Sequence, residues 1–301
     1  MNNDKIRWKW KILKKKIFTT FFSHAVHLYD DKKYTEVVHH IIFGKPIHLE
    51  PPHTYNEHLS ALKLQDKYLE YSKYADKYEV RNYVESVIGE SFLNPVLGIF
   101  NSYDEIPFDE LPEQFAIKCT HGSSYNIIVR DKKKLNHKKA RRKINRWLNE
   151  NYYFQMREKQ YKNIKPRIMI DKFLEQKNGN PLNEVKLYCI DGIVRFIVDN
   201  HENELVRYSN IYTRDWEWRD VSCGFPVNPA FTRPENGDEL VRIAEILAKP
   251  FKFVRVDLYN VDGKILFSEL TFCPAGGMTL FNPESFDDEM GIYFDSNGEC
   301  I

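Results

Sequence analysis

The sequence has no uninterrupted apolar run of eighteen or more residues, so it offers no ordinary membrane-spanning helix. It has no CxxC. Its five cysteines, Cys119, Cys189, Cys223, Cys273 and Cys300, are odd in number and widely spaced. That pattern says nothing of metals and suits reduced thiols in a cytoplasm better than a disulfide scaffold. Neither GxxxxGK[ST] nor GxGxxG occurs, which removes the P-loop and Rossmann readings. A DxD motif, which would support a sugar-nucleotide-dependent glycosyltransferase, is also missing. Excess charge of one sign is lacking too: 44 basic and 43 acidic residues leave +1, so no chain-wide field for nucleic acid is expected. The opening, MNNDKIRWKWKILKKKIFTTFF, has no clear apolar run ending at a small-residue cleavage site and does not read as a signal peptide.

What is present is a chain of 301 residues, 42% hydrophobic and 29% charged, long enough for one large domain or two to three lobes. Residues 5–22 interleave Lys5, Arg7, Lys9, Lys11 and Lys14 to Lys16 with Trp8, Trp10, Ile12 and Leu13. Such a segment either packs on its own domain with solvated lysines or lies on an anionic membrane surface. Pro51-Pro52 marks a loop, and the three-four spacing after it predicts one continuous helix over 57–84. NPVLGIF predicts a strand. FAIKCTHGSSYNIIVRD predicts strand, small-residue turn, strand, followed by a strongly basic helix in KKKLNHKKARRKINRWLNENYYF. RIMIDKFLEQ reads as a strand running into a connector, EVKLYCIDGIVRFIVDN as a hairpin turning at Asp191-Gly192, and DELVRIAEILAKPF as an amphipathic helix. The order indicates an α+β fold with antiparallel sheets.

The stretch FVRVDLYNVDGKILFSELTFCPAGG places two acids, Asp257 and Glu269, on either side of a turn. Read as a three-residue loop with Gly263 in a G1 bulge, Asn260 pairs with Lys264 and Asp257 with Phe267. Glu269 then lies opposite Arg255 and diagonal to Asp257, roughly 7–8 Å away, on the same face. A two-residue Asp262-Gly263 turn would send the two acids to opposite faces. Paired carboxylates without His or Cys beside them suit Mg²⁺; the alternative is a solvent-facing Arg255–Glu269 salt bridge. Lys118 near a strand end, with His121-Gly122-Ser123-Ser124 after it, suits a phosphate-binding turn or is simply a hairpin turn. Lys186, after Glu184 in a strand, is a second candidate cation. RYSNIYTRDWEWRD offers Arg207, Arg214 and Arg219 with Trp216 and Trp218, matched to carboxylates and sugar rings, or else a polar loop with core tryptophans.

In this order, Lys118, Gly122-Ser123-Ser124, IMIDKFLEQ, EVKLYCIDG and RVDLY…FSELTFCPAGG resemble the ATP-grasp superfamily. The closer resemblance, which includes DKYEVRNYVESVIGE and LPEQFAIKCTHGSS, is to the TupA-like ATP-grasp proteins of polysaccharide biosynthesis, named for teichuronopeptide biosynthesis. It spans roughly residues 40 to 290. The resemblance implies two α+β lobes clasping ATP. Lys118 and Gly122 to Ser124 would meet the phosphates, Asp171, Lys172, Phe173 and Leu174 would form the hinge beside adenine, and Glu184 would meet the ribose. Lys186 and Arg255 would be catalytic cations, and Asp257, Glu269 and Thr271 would hold Mg²⁺, Thr271 standing where many members have Asn. Arg207, Arg214, Arg219 and His121 would face the acceptor. The implied reaction is ATP- and Mg²⁺-dependent joining of an amino-acid or peptide amine to a uronic-acid carboxylate of a surface polysaccharide or lipid-linked glycan. It would run in the cytoplasm, with residues 5–22 at the inner membrane face. A phosphotransferase on a glycan or a non-catalytic assembly protein are the alternatives. The implied division is a helical region 1–78, a connecting segment 79–110, a small nucleotide-clasping lobe 111–174 and a C-terminal lobe 175–301.

Overall fold

The structure, a computed structural model, describes residues 29–179, 182–202, 207–230 and 233–295. The basic aromatic segment 5–22 lies outside them. Helix α1 (Asp31–Phe43) starts where the Asp30 carboxylate accepts the Lys33 N–H at 2.7 Å. Helix α2 (Tyr55–Leu64) starts at a reciprocal capping box between Thr54 and Glu57.

The single helix expected over 57–84 is broken. Gln65 is extended, a 3₁₀ segment (Asp66–Tyr71) and a short turn (Ser72–Ala75) follow, and Asp76 is extended again before α3 (Val80–Ile88). No Pro or Gly signals the breaks. The Asp76 carboxylate makes one of them by accepting the backbone N–H groups of Tyr78 and Glu79 at 2.8 and 3.2 Å. The bends also turn Tyr68 and Tyr71 inward against Phe272.

Among the described residues, ten strands form two antiparallel sheets. The smaller holds β1 (Val96–Phe100), β2 (Phe115–Cys119), β3 (Asn126–Val129) and β4 (Ile168–Lys172) in the order β1-β4-β2-β3. Helix α4 (His137–Leu148) covers one face of it through Ala140, Ile144 and Trp147, leaving its lysines and arginines in solvent. The larger sheet holds β5 (Asn183–Ile190), β6 (Ile193–Glu202), β7 (Arg207–Tyr212), β8 (Trp218–Arg219), β9 (Phe253–Val261) and β10 (Lys264–Thr271) in the order β10-β9-β5-β6-β7-β8. Both hairpins expected from the sequence are present, as is α5 (Gly237–Ala248).

Side-chain alternation gives the large sheet two unlike faces. Val185, Leu187, Val254, Val256 and Leu258 pack with Leu240, Ile243 and Leu247 of α5. On the opposite face, Tyr188, Ile190 and Phe253 pack against Tyr55 and Leu59 of α2 and against α6 (Ser285–Asp295). Further along these strands that face turns charged, with Glu184 and Lys186 on β5 and Arg255 and Asp257 on β9. The apolar end is thereby a floor for the polar one.

Helix α6 approaches the loop before α2 so closely that a Cβ on Gly291 would lie 2.0 Å from the His53 carbonyl oxygen. Gly291→Ala must therefore push the C-terminal helix off the front of the chain. We expect it to lower stability by about 1–3 kcal/mol, read as a fall in melting temperature by circular dichroism. An unchanged melting curve would show that this contact does not hold the two ends together.

Candidate active site

The polar faces of the two sheets look at each other across a cleft of about 590 Å³. The small sheet contributes Lys118, Asn126, Arg130 and Asp171, and the large one Glu184, Lys186, Arg255, Tyr259 and Glu269. Lys77, Ser123, Ser124, Lys172 to Glu175, Asn200 and His201 also line it.

The hairpin that carries the acids differs from expectation in a way that leaves the outcome intact. Its turn has two residues, Asp262 and Gly263, at φ 50° and 84°, with Val261 opposite Lys264 and Leu258 opposite Phe267. That turn alone would send Asp257 and Glu269 to opposite faces. A β-bulge at Ser268 absorbs one residue, and beyond it Asp257 pairs directly with Glu269 and Arg255 with Thr271. The bulge was legible: Ile265 and Phe267 lie in the same core cluster as Leu270 and Phe272, on the buried side of the sheet that α5 also covers, so the apolar alternation changes parity between them.

Arg255 spans the pair. Its Nε and Nη2 donate to the two oxygens of Asp257, both at 2.6 Å, and Nη2 also reaches Glu269 at 3.2 Å and the Thr271 hydroxyl at 2.9 Å. Thr271 donates in turn to Glu269 at 3.1 Å. Lys186 lies 3.2 Å from Glu184 and 3.6 Å from Asp257. Sequence reasoning missed Lys77, whose Nζ donates to Glu269 at 2.9 Å from the far side of the chain. Burial pushes the Asp257 carboxyl up to about 6, against the pull of Arg255 and Lys186. Glu269 is pushed up by burial too, but Lys77, Arg255 and Lys186 outweigh it and hold the carboxyl well below its usual range. Burial pulls the Lys186 ammonium down and Arg255 adds to that, yet Asp257 and Glu184 leave it raised.

Across the cleft, Lys118 is 2.7 Å from Asp171. Burial lowers the Lys118 ammonium, and Asp171 and Tyr259 more than reverse it. Asp171 thus acts through its side chain. The neighbouring Lys172 has its N–H on the Pro95 carbonyl and its own carbonyl on Asn94, so its backbone is already used.

Mg²⁺ fits this donor set. Two hard carboxylates share one face, and among the described residues no group of three or more His, Cys, Asp or Glu stands ready to enclose a metal. That suits an ion that keeps waters and takes nucleotide phosphates as further ligands. Thr271 is engaged between Arg255 and Glu269.

Three expected positions stand elsewhere. His121 is 2% exposed with Nε2 on the Trp147 carbonyl at 2.8 Å, so it packs against α4 and does not face an acceptor. Arg214 is gripped by Glu245 and Arg219 by Glu289, and both line a different pocket. The Arg207 side chain lies outside what the structure describes. Gly122 serves packing: a Cβ there would meet Tyr125 at 2.7 Å and Tyr152 at 2.9 Å. The part of that turn that lines the cleft is Ser123 and Ser124, the latter at φ 60°.

Two antiparallel-sheet lobes with a lysine- and carboxylate-lined cleft between them define an ATP-grasp architecture. The family described as TupA-like ATPgrasp matches residues 57–295, and the chain belongs to it. The expected family and α+β fold both hold; ATP-grasp proteins are a class of ATP-dependent ligases that form C–N bonds with ATP and Mg²⁺. A comparison with curated proteins returned no match. Similar solved structures include a D-alanine–D-alanine ligase from Bacillus anthracis, at 16% identity and a TM-score of 0.41 over 81% of this chain and 67% of that one. The ATP-grasp ligase PsnB, solved with minimal precursor, Mg and ADP, is 12% identical with a TM-score of 0.39, over 88% and 67%. D-cycloserine synthetase DcsG is 12% identical with a TM-score of 0.39, over 73% and 70%. The family assignment rests on the family match alone.

Lys118→Ala removes a cleft-lining cation and leaves Asp171, 4% exposed, without its partner. ATP affinity by calorimetry should fall at least about tenfold, the scale of one charged hydrogen bond. Undiminished affinity would exclude Lys118 from the nucleotide site. Arg219→Ala, by contrast, should leave ATP affinity within about twofold, as expected of a side chain outside the cleft.

Proposed function

We propose that the cleft is the active site of an ATP- and Mg²⁺-dependent carboxylate–amine ligase working through an acyl phosphate. The acid is a uronic-acid carboxylate of a surface polysaccharide or its lipid-linked precursor, and the amine belongs to an amino acid or peptide. The observation that carries the ligase reading is Glu269 on the wall of the cleft that Lys118 also lines, paired directly with the buried Asp257 and joined to it by Arg255.

With the Lys172 backbone engaged, reading of the adenine falls to Phe173 to Glu175, which line the cleft beyond it. Lys118, Ser123 and Ser124 border the space for the phosphates. Bound between Asp257 and Glu269, Mg²⁺ would neutralise phosphate charge. The acid's carboxylate oxygen attacks the γ-phosphorus, the bond to ADP breaks, and the amine then attacks the acyl carbon as phosphate leaves and the nitrogen loses a proton. Arg255, Lys186 and Lys77 hold the transferred group's charge in place; positioning and charge neutralisation are most of what such a transfer asks of a protein. Closing the small sheet over the large one excludes the water that would hydrolyse an acyl phosphate. Dependence on ATP puts the reaction on the cytoplasmic side, at the inner membrane face when the glycan is lipid-linked. No described helix is long and apolar enough to cross a membrane.

Incubation with ATP, Mg²⁺, a panel of amino acids and uronic-acid oligosaccharides, followed by mass spectrometry, tests the reading. A gain of one aminoacyl residue is expected. A gain of one phosphate would instead establish a phosphotransferase. Asp257→Asn and Glu269→Gln should each abolish Mg²⁺-dependent ATP turnover while keeping the far-UV spectrum. Undiminished turnover in both would remove the metal site from the mechanism.

A further inference from the structure

A second pocket, of about 190 Å³, lies between β6, the Thr213–Asp215 corner and α6, and shares no lining residue with the cleft. Arg195, Arg214 and Arg219 line it together with Asp215, Glu289 and Tyr293. Arg195 is placed there by the large sheet's other irregularity. Tyr188 pairs with Phe196 and Cys189 with Val194, so Arg195 is the extra residue of a bulge. Bulges re-aim side chains, as the one at Ser268 does for Glu269.

The arginines of this protein show what Arg195 lacks. Arg255 grips Asp257 through Nε and Nη2 at 2.6 and 2.6 Å. Arg214 grips Glu245 through the same two atoms at 2.8 and 3.0 Å, and Arg219 holds both oxygens of Glu289 at 2.8 Å. On Arg195 that edge is bare: Nε and Nη2 are buried and have no hydrogen-bond partner among the described residues. The residue is 8% exposed, and its guanidinium lies 4.6 Å from the centre of the Tyr293 ring. A ring face compensates only part of the cost of burying a cation without an acceptor. Native chains seldom leave such a group unsatisfied, and where they do the reason is commonly functional.

We propose that this pocket binds an organic carboxylate, seated on the Nε–Nη2 edge of Arg195 with its carbon frame against Tyr293. The fork shape selects a planar, two-oxygen anion. The pocket's size limits the ligand to about one sugar ring or one amino acid, below the usual range of drug-sized sites. Because the bare edge is shielded from solvent, the ligand reaches it by rearrangement of side chains at the pocket wall. This site stands apart from the ligase reading: it depends on neither ATP nor the cleft.

Two measurements on the full chain test it. The first titrates wild type and Arg195→Gln with D-glucuronate, L-alanine, D-glucose and inorganic phosphate, followed by ligand-observed NMR. Binding of glucuronate or alanine, weakened at least about tenfold in the variant as expected on losing a bidentate charged contact, supports the site. The glucuronate and alanine arms tell a sugar carboxylate from an amino-acid one. Binding of neither carboxylate, equal binding to both proteins, or binding of phosphate alone overturns it. The second needs no ligand. Arg195→Met removes the unpartnered cation and keeps an apolar stem, so the melting temperature of the free protein should rise by a few degrees, as when buried charge is replaced by well-packed apolar groups. A fall would show that the guanidinium already has an internal structural role, and the proposal would fail.

Discussion

Two carboxylates directly opposite on adjacent strands repel one another, and away from solvent the repulsion is not screened by water. The pairing of Asp257 with Glu269 is possible because the Arg255 guanidinium spans them, with Lys77 and Lys186 alongside. The ion-paired groups around the cleft come out even: Asp171, Glu184, Asp257 and Glu269 against Lys77, Lys118, Lys186 and Arg255. The balance has a consequence for nucleotide binding. Lys77, Lys118, Lys186 and Arg255 each already hold a carboxylate, so a triphosphate that engaged these four alone would free acids as fast as it engaged cations. A divalent cation arriving with it takes up those acids and restores the balance. On the proposed reading, metal and nucleotide are coupled by charge compensation inside a confined space.

Much of this arrangement was legible in the sequence. Period-two alternation placed Arg255 with Asp257, and Glu269 with Thr271, because strand geometry is local. Relating one strand to the other was harder, since the turn and the bulge each shift the face by one residue. The three-residue loop expected from Asn260 to Lys264 is a two-residue turn, and Ser268 makes up the difference. The acids converge for a reason other than the one read from the turn, and the parity break between Phe267 and Leu270 is the pattern that carries it.

What escaped the sequence lies in pairings between distant segments. Lys77 and Glu269 are 192 positions apart, and nothing in the spacing around either announces the other. His121, beside a glycine and two serines, has the neighbours of a site residue, yet the short β2–β3 connection turns it into α4. The helix expected over 57–84 fails for a related reason. Its apolar spacing is helical throughout, but Asp76 bonds its own backbone downstream and also holds Arg167 at 2.8 Å. Tertiary demand on one carboxylate overrides propensity along the segment.

That carboxylate links the fold to the site. Arg167, just before β4, bonds both Asp76 and Glu79 at 2.8 Å. Thr120, just after β2, accepts the Lys77 N–H with its carbonyl and donates its own N–H to the Arg167 carbonyl. Residues 76–79 are therefore stitched to the ends of two small-sheet strands, while the Lys77 side chain reaches the large sheet at Glu269. One short segment touches both halves of the clasp at the point where the acids lie. Any movement of the small sheet over the large one must pivot near this segment or strain the Lys77–Glu269 bond. The position of the small sheet and the Lys77–Glu269 contact are thus mechanically joined, and the break in the expected helix is what brings Lys77 to that position.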